Sequence, residues 1–277
     1  MTLSSRARRA RTDQSVSSRV PAVLVPPGLI AFFFLLLPLL GLLIRAPWRG
    51  LASIYADAAV ADALRLSLTT SVQATAACLL LGIPLGWLLA RLRVPGIGVA
   101  RAVVMLPLVL PPVVGGVALL LTLGRNGYVG RYLDQWFDIQ LPFTSHGVVI
   151  AEAFVAMPFL VITVEGAFRA SDRGLEEAAA TLGASRWRIF TRVTLPAVAP
   201  SLAAGTALCW ARAIGEFGAT ITFAGNLPGR TRTMPSAIYL AFEQDPEAAV
   251  ALSLVLMLVA VVVLAALRDR WLRAGVA

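Results

Sequence analysis

The sequence predicts an all-α membrane protein with about six transmembrane helices. Three observations carry that expectation. First, 58% of the 277 residues are hydrophobic and only 14% are charged, against roughly 25% charged in an ordinary soluble domain. Mean hydropathy is accordingly +0.80. Second, the apolar residues fall in blocks of roughly 20, the length a helix needs to cross a hydrocarbon core of about 30 Å. Third, the blocks are continuous rather than alternating. Helices and closed barrels both satisfy their backbone in lipid, and a continuous block fits a helix.

Taken in order, residues 1–20 are polar and arginine-rich and read as a disordered basic tail. Residues 21–277 read as a single transmembrane domain. Its first span is expected at about 22–44. That run is too long for the apolar part of a signal peptide, and no small-residue cleavage site follows it. Further spans are expected at about 66–90, 102–123, 147–168, 197–224 and 248–267. The 102–123 block holds Pro107, Pro111, Pro112, Gly115 and Gly116. Such a helix is kinked or broken, which lipid tolerates only where neighbours satisfy the freed backbone groups.

All 24 basic residues are arginine, and their placement sets the orientation. The tail, the 91–101 and 169–196 loops and the C-terminus hold sixteen: Arg6, Arg8, Arg9, Arg11, Arg19, Arg91, Arg93, Arg101, Arg169, Arg173, Arg186, Arg188, Arg192, Arg268, Arg270 and Arg273. The opposite loops hold seven, Arg45, Arg49, Arg65, Arg125, Arg131, Arg230 and Arg232, among compensating acids. Positively charged loops stay cytoplasmic, so both termini are expected inside. Anionic lipid explains the one-sided charge, and the net +9 calls for no nucleic-acid partner.

The residue inventory excludes several chemistries. Without lysine there is no phosphate-binding P-loop and no Schiff base. Cys78 and Cys209 lie in apolar runs and read as packing residues, and His146 is alone. Paired carboxylates, a His or Cys cluster or a Ser–His pair would be needed for intramembrane catalysis, and none is legible. No cofactor or metal is expected in this chain.

The least membrane-like stretch is the loop at about 171–196. Leu175, Ala178, Ala179, Leu182, Ile189 and Val193 recur at three- and four-residue steps, which makes one helical stripe. Ser171 and Asp172 are N-cap candidates followed by first-turn acids. Gly183 breaks or bends the helix, and Pro196 and Pro200 open the next span. A helix lying flat on lipid is one reading of such a stripe. Its scarcity of large apolar residues and its alanines favour packing against protein instead.

Glu177-Ala178-Ala179, then Gly183 after three intervening residues, and Val193-Thr194-Leu195-Pro196 after nine more resemble the signature loop of ABC importer permease subunits of type I. Only Val193, where the family pattern has isoleucine, departs from it. The resemblance implies that Glu177, Ala178, Ala179, Gly183, Leu195 and Pro196 form a coupling segment docked on a separate ATPase subunit. The segments 106–130, 146–169 and 215–239 are similar to permeases of the molybdate and tungstate class. Gly215–Thr220 and the 225–231 loop also resemble sulfate permeases, so sulfate or another oxyanion is the alternative cargo. The resemblance further implies a homodimer in the bacterial inner membrane, a dimer of ATPase subunits on the cytoplasmic face and an extracytoplasmic molybdate-binding protein. An ATPase-independent channel is a third reading, against which the signature loop argues.

Charges inside spans default to functional hypotheses. Arg212 and Glu216 stand four residues apart in the expected fifth span. They read either as a self-neutralising pair that holds the bundle or as a source of positive potential for a passing anion. Thr220 offers a hydroxyl on the same span, and Pro112 marks the broken third span. These four, Pro112, Arg212, Glu216 and Thr220, are the pathway or gate candidates. Thr222 and Ser201 share the fifth span, where hydroxyls also bond back to their own helix. Glu152 and Glu165 are expected near the two membrane interfaces, and Arg230 and Arg232 in an outer loop that is either solvated or docks a binding protein.

Overall fold

A computed structural model describes residues 22–274; the basic tail of residues 1–20 lies outside them. Two compact units are present, Met1–Arg45 and Ala46–Ala277. In the first unit a short 3₁₀ turn leads into α1 (Val25–Ile44), opened by Pro26 and Pro27 in its first turn. Proline suits that position because its missing N–H would be unpaired there anyway. No residue of α1 is buried.

The second unit begins with α2 (Leu51–Tyr55) and α3 (Ala58–Arg91). Asp57 caps α3 by accepting from Ala59 N at 2.9 Å, so the helix starts well before the expected residue 66. Its 34 residues make it about 51 Å long at 1.5 Å per residue. Then come α4 (Ile97–Val109) and α5 (Pro112–Leu123), joined at Leu110-Pro111 with a bend of 116°. The break expected in this block is therefore sharp. Pro111 at the N-cap and Pro112 at the first helical position remove two backbone donors in succession, so the ladder cannot run through.

Beyond α5, the short helix α6 (Gly130–Phe137) lies on the loop to α7 (Ser145–Ala170). Asp134 closes that loop, accepting from Gln140 Nε2 at 2.9 Å and Arg125 Nε at 3.1 Å. Both contacts, Gln140's first, hold its carboxyl below the usual range. Helices α8 (Arg173–Thr181) and α9 (Arg186–Ile189) form the loop that follows. A π turn (Phe190–Thr194), α10 (Leu195–Ala197) and α11 (Ala199–Ile214) continue it. The fifth crossing is bent by 72° where α10 meets α11. The chain ends with α12 (Gly218–Phe223), α13 (Met234–Gln244) and α14 (Pro246–Ala274). Among the described residues four helices are long and apolar enough to cross a membrane, and six crossings result when each bent pair is one span.

Helix α7 is the hub of the second unit. Its Ala156, Leu160, Val164 and Phe168 pack with Ala74 and Cys78 of α3 and Cys209 and Ala213 of α11 in one buried cluster. Without a hydrophobic drive between helices in lipid, small residues that allow backbone approach hold such contacts. Gly86 does this here: a Cβ on it would stand 3.2 Å from the Val161 carbonyl oxygen.

Candidate functional site

Two regions gather the candidate residues. The first is the α8–α10 loop. Asp172 is the N-cap of α8 and accepts from Gly174 N at 2.8 Å. At its other end Gly183 adopts φ +79°. Ala184 N donates to the Ala179 carbonyl and Gly183 N to the Ala180 carbonyl, the paired bonds of a Schellman cap. Ser185 then caps α9 through Arg188 N at 3.3 Å. The π turn follows because Pro196 has no N–H to give the Arg192 carbonyl, and Leu195 N reaches back to Phe190 O. The expected stripe is divided. Ala179, Ile189 and Val193 are half-buried, whereas Leu175, Leu182 and Trp187 are 56%, 89% and 73% exposed. Trp187 did not figure in the sequence reading. Of the signature residues, Glu177, Ala178, Gly183 and Pro196 are exposed and Leu195 is half-buried. The loop thus presents a polar helix carrying a few bare apolar side chains, with open space around Gly183.

The neighbouring acid behaves differently. Glu176 Oε1 accepts from Arg91 of α3 at 2.5 Å and from Thr194 Oγ1 of the π turn at 3.0 Å. Neither period nor hydropathy marked it, rather than Glu177, as the acid that turns inward.

The second region is where the broken third and fifth crossings meet. α11 ends at Ile214 and α12 begins at Gly218, so the single span expected over 197–224 is divided. Glu216 causes the division: its Oε1 accepts from Ala219 N at 2.8 Å and restarts the helix as a cap. Oε2 stands 2.5 Å from an Arg212 guanidinium nitrogen, in an ion contact not aligned as a hydrogen bond. The Glu216 side chain is fully buried and that of Arg212 is 26% exposed. Pro112 lies against Gly218, where a Cβ would come within 2.9 Å of it. Gly116 touches Ala219 and Thr222 so closely that a Cβ would stand 2.8 Å from the Ala219 carbonyl oxygen. Thr222 bonds back to Gly218 O at 2.7 Å, while among the described residues the buried Thr220 Oγ1 has no partner, at a cost of about 1–3 kcal/mol. All four pathway candidates therefore sit on or beside one junction.

Two expectations are corrected. Neither Glu152 nor Glu165 reaches solvent as an interfacial side chain would. Glu152 is 1% exposed inside the helix bundle, accepting from Thr70 Oγ1 at 2.9 Å. Glu165 is 5% exposed and takes Arg101 and Arg169, each at 2.8 Å. Both acids face other helices, which hydropathy along the chain does not encode.

Known proteins resemble this chain over most of its length. Residues 82–276 match the family described as binding-protein-dependent transport system inner membrane component. The molybdenum transport system permease protein ModB of Mycobacterium tuberculosis is 45% identical over 86% of this chain and 89% of its own length. ModB of Escherichia coli K12 is 43% identical over 76% and 92%. The sulfate transport system permease protein CysT of the same bacterium is 35% identical over 88% and 91%. Among solved structures, a bacterial alginate ABC transporter bound to its periplasmic protein aligns with TM-score 0.70. It is 20% identical and covers 90% of this chain and 91% of that one. The MetNI methionine ABC transporter aligns with TM-score 0.56 at 18% identity, over 86% and 98%. At these identities the structures carry the fold alone.

Proposed function

Because the chain belongs to the family of binding-protein-dependent transport system inner membrane components, we propose that it is the permease subunit of an ABC importer for molybdate, with tungstate as a second cargo. The single observation that carries the cargo is the 45% identity to a molybdenum permease along 86% of the chain, against 35% for the sulfate permease. Sulfate is the second reading, supported by that same sulfate relative.

In this account residues 21–277 are one transmembrane domain with both termini inside, as the sixteen-to-seven arginine distribution favours. Two copies form a homodimer around the path. An extracytoplasmic binding protein delivers the anion. A pair of ATPase subunits docks on α8 and α9, using Glu177, Ala178, Ala179 and Gly183, with Leu195 and Pro196 fixing the exit of the loop. The chain moves the anion without chemistry on it; hydrolysis belongs to the partner. Along the path Arg212 supplies positive potential at the junction and Glu216 limits it. A divalent anion is thereby attracted without being trapped, the balance conduction requires.

Competitive uptake tests the cargo. In vesicles holding the whole complex, unlabelled tungstate should suppress labelled molybdate uptake almost as well as molybdate itself. Sulfate in about hundredfold excess should leave most of it, since discrimination is a difference of two affinities. Suppression by sulfate at parity transfers the assignment to the second reading.

A further inference from the structure

We propose that Glu176, the acid beside the signature glutamate, is the latch through which α8 pulls on the transmembrane helices. The proposal rests on the docking of an ATPase at α8 given above. Glu176 is the meeting point of separate segments. Its Oε1 takes Arg91 from the last residue of α3 at 2.5 Å and Thr194 from the end of the π turn at 3.0 Å. The same Arg91 nitrogen donates to Ser171 Oγ at the α7–α8 joint at 2.9 Å. Thr194 is buried, and the Arg91 and Glu176 side chains are only 12% and 25% exposed. Glu177, one residue on, points into solvent.

The two acids thus divide the labour. Glu177 faces outward to whatever docks on α8, and Glu176 faces inward. A push on α8 reaches α3 through Arg91 and the root of α11 through Thr194 and the π turn. α11 leads directly to Arg212 and the junction. A charge-assisted, mostly buried pair holds geometry better than an exposed one. Among the described residues the buried Arg91 Nε has no partner, so the guanidinium holds a second donor through which the pair can re-form as a fork when α8 shifts.

The test uses the complex reconstituted with its ATPase and binding protein. Glu176→Gln, Arg91→Gln, Thr194→Val and the double variant Arg91→Gln/Glu176→Gln are compared. Each should still copurify the ATPase and hydrolyse ATP. Each glutamine variant should lower molybdate taken up per ATP by about tenfold, the scale of one hydrogen bond to a charged group. Thr194→Val should give a smaller loss. The double variant should be no worse than the worse single one, as expected when two residues share one interaction. Amide exchange across residues 173–181 should quicken in step. Unchanged uptake per ATP, or losses that multiply in the double variant, overturn the latch. A protein that copurifies no ATPase overturns the docking reading instead, and the exchange comparison then decides the latch alone: unaltered protection refutes it.

Discussion

Gly183→Asp should lower uptake by tenfold or more while leaving the permease in the membrane at normal abundance. The residue ends α8 at φ +79°, a conformation that costs a residue with a Cβ about 1–2 kcal/mol. An aspartate there also puts negative charge at a helix C-terminus, worth about 0.3–1 kcal/mol against it. Among the described residues nothing lies within 4 Å of a Cβ at that position, so the packing of the described spans is not at risk. On the proposed docking, the added carboxylate instead enters the space the ATPase would occupy. Gly183→Asn separates the two causes, because asparagine accepts the left-handed region. It should keep the backbone turn, and any loss that remains measures side-chain exclusion from the docking site proposed above. Uptake per unit of membrane-inserted protein is the measurement; wild-type uptake by the aspartate variant removes the role of Gly183.

Glu216→Ala should destabilise the protein by about 3–5 kcal/mol, the cost of stranding one partner of a buried pair. Two functions are lost at once: the counter-charge to Arg212 at 2.5 Å and the cap on Ala219 N. Glu216→Gln keeps an oxygen for the cap and should cost less. Arg212→Gln/Glu216→Gln should cost less again, because no charge is left alone. Thermal unfolding of the purified permease ranks the three. If that double variant folds normally and still loses molybdate uptake, the positive charge of Arg212 serves the path as well as the fold. Equal stability of Glu216→Ala and wild type would show that the junction is held by glycine packing alone.

Much of this architecture was legible in the sequence for reasons that are local. Pro111-Pro112 foretold the 116° bend because two missing N–H groups act on their own ladder. The start and break of α8 were legible for the same reason: Asp172 and Gly183 act on neighbouring amides, whereas the Ser185 cap of α9 went unread. What stayed hidden depends on distant partners. Glu152 meets Thr70 and Glu176 meets Arg91, residues 82 and 85 positions away. Period and hydropathy do not say which of two adjacent acids turns inward. The division at Gly215–Phe217 was missed because glycines are ordinary in membrane helices. The capping of Ala219 by Glu216, a contact made only in the folded chain, marks the restart. α13, eleven residues long, is too short to register as a span.

The central claim is that the exposed face of α8 and α9 seats against a nucleotide-hydrolysing subunit inside the cell. Leu182→Cys tests it most directly. Leu182 is 89% exposed, and the chain's own cysteines, Cys78 and Cys209, are both buried. A short bifunctional crosslinker applied to native membranes should join position 182 to the ATPase subunit, and an impermeant thiol reagent added outside intact cells should leave it unmodified. Labelling of that cysteine from outside, with no crosslink to an ATPase, would contradict the account.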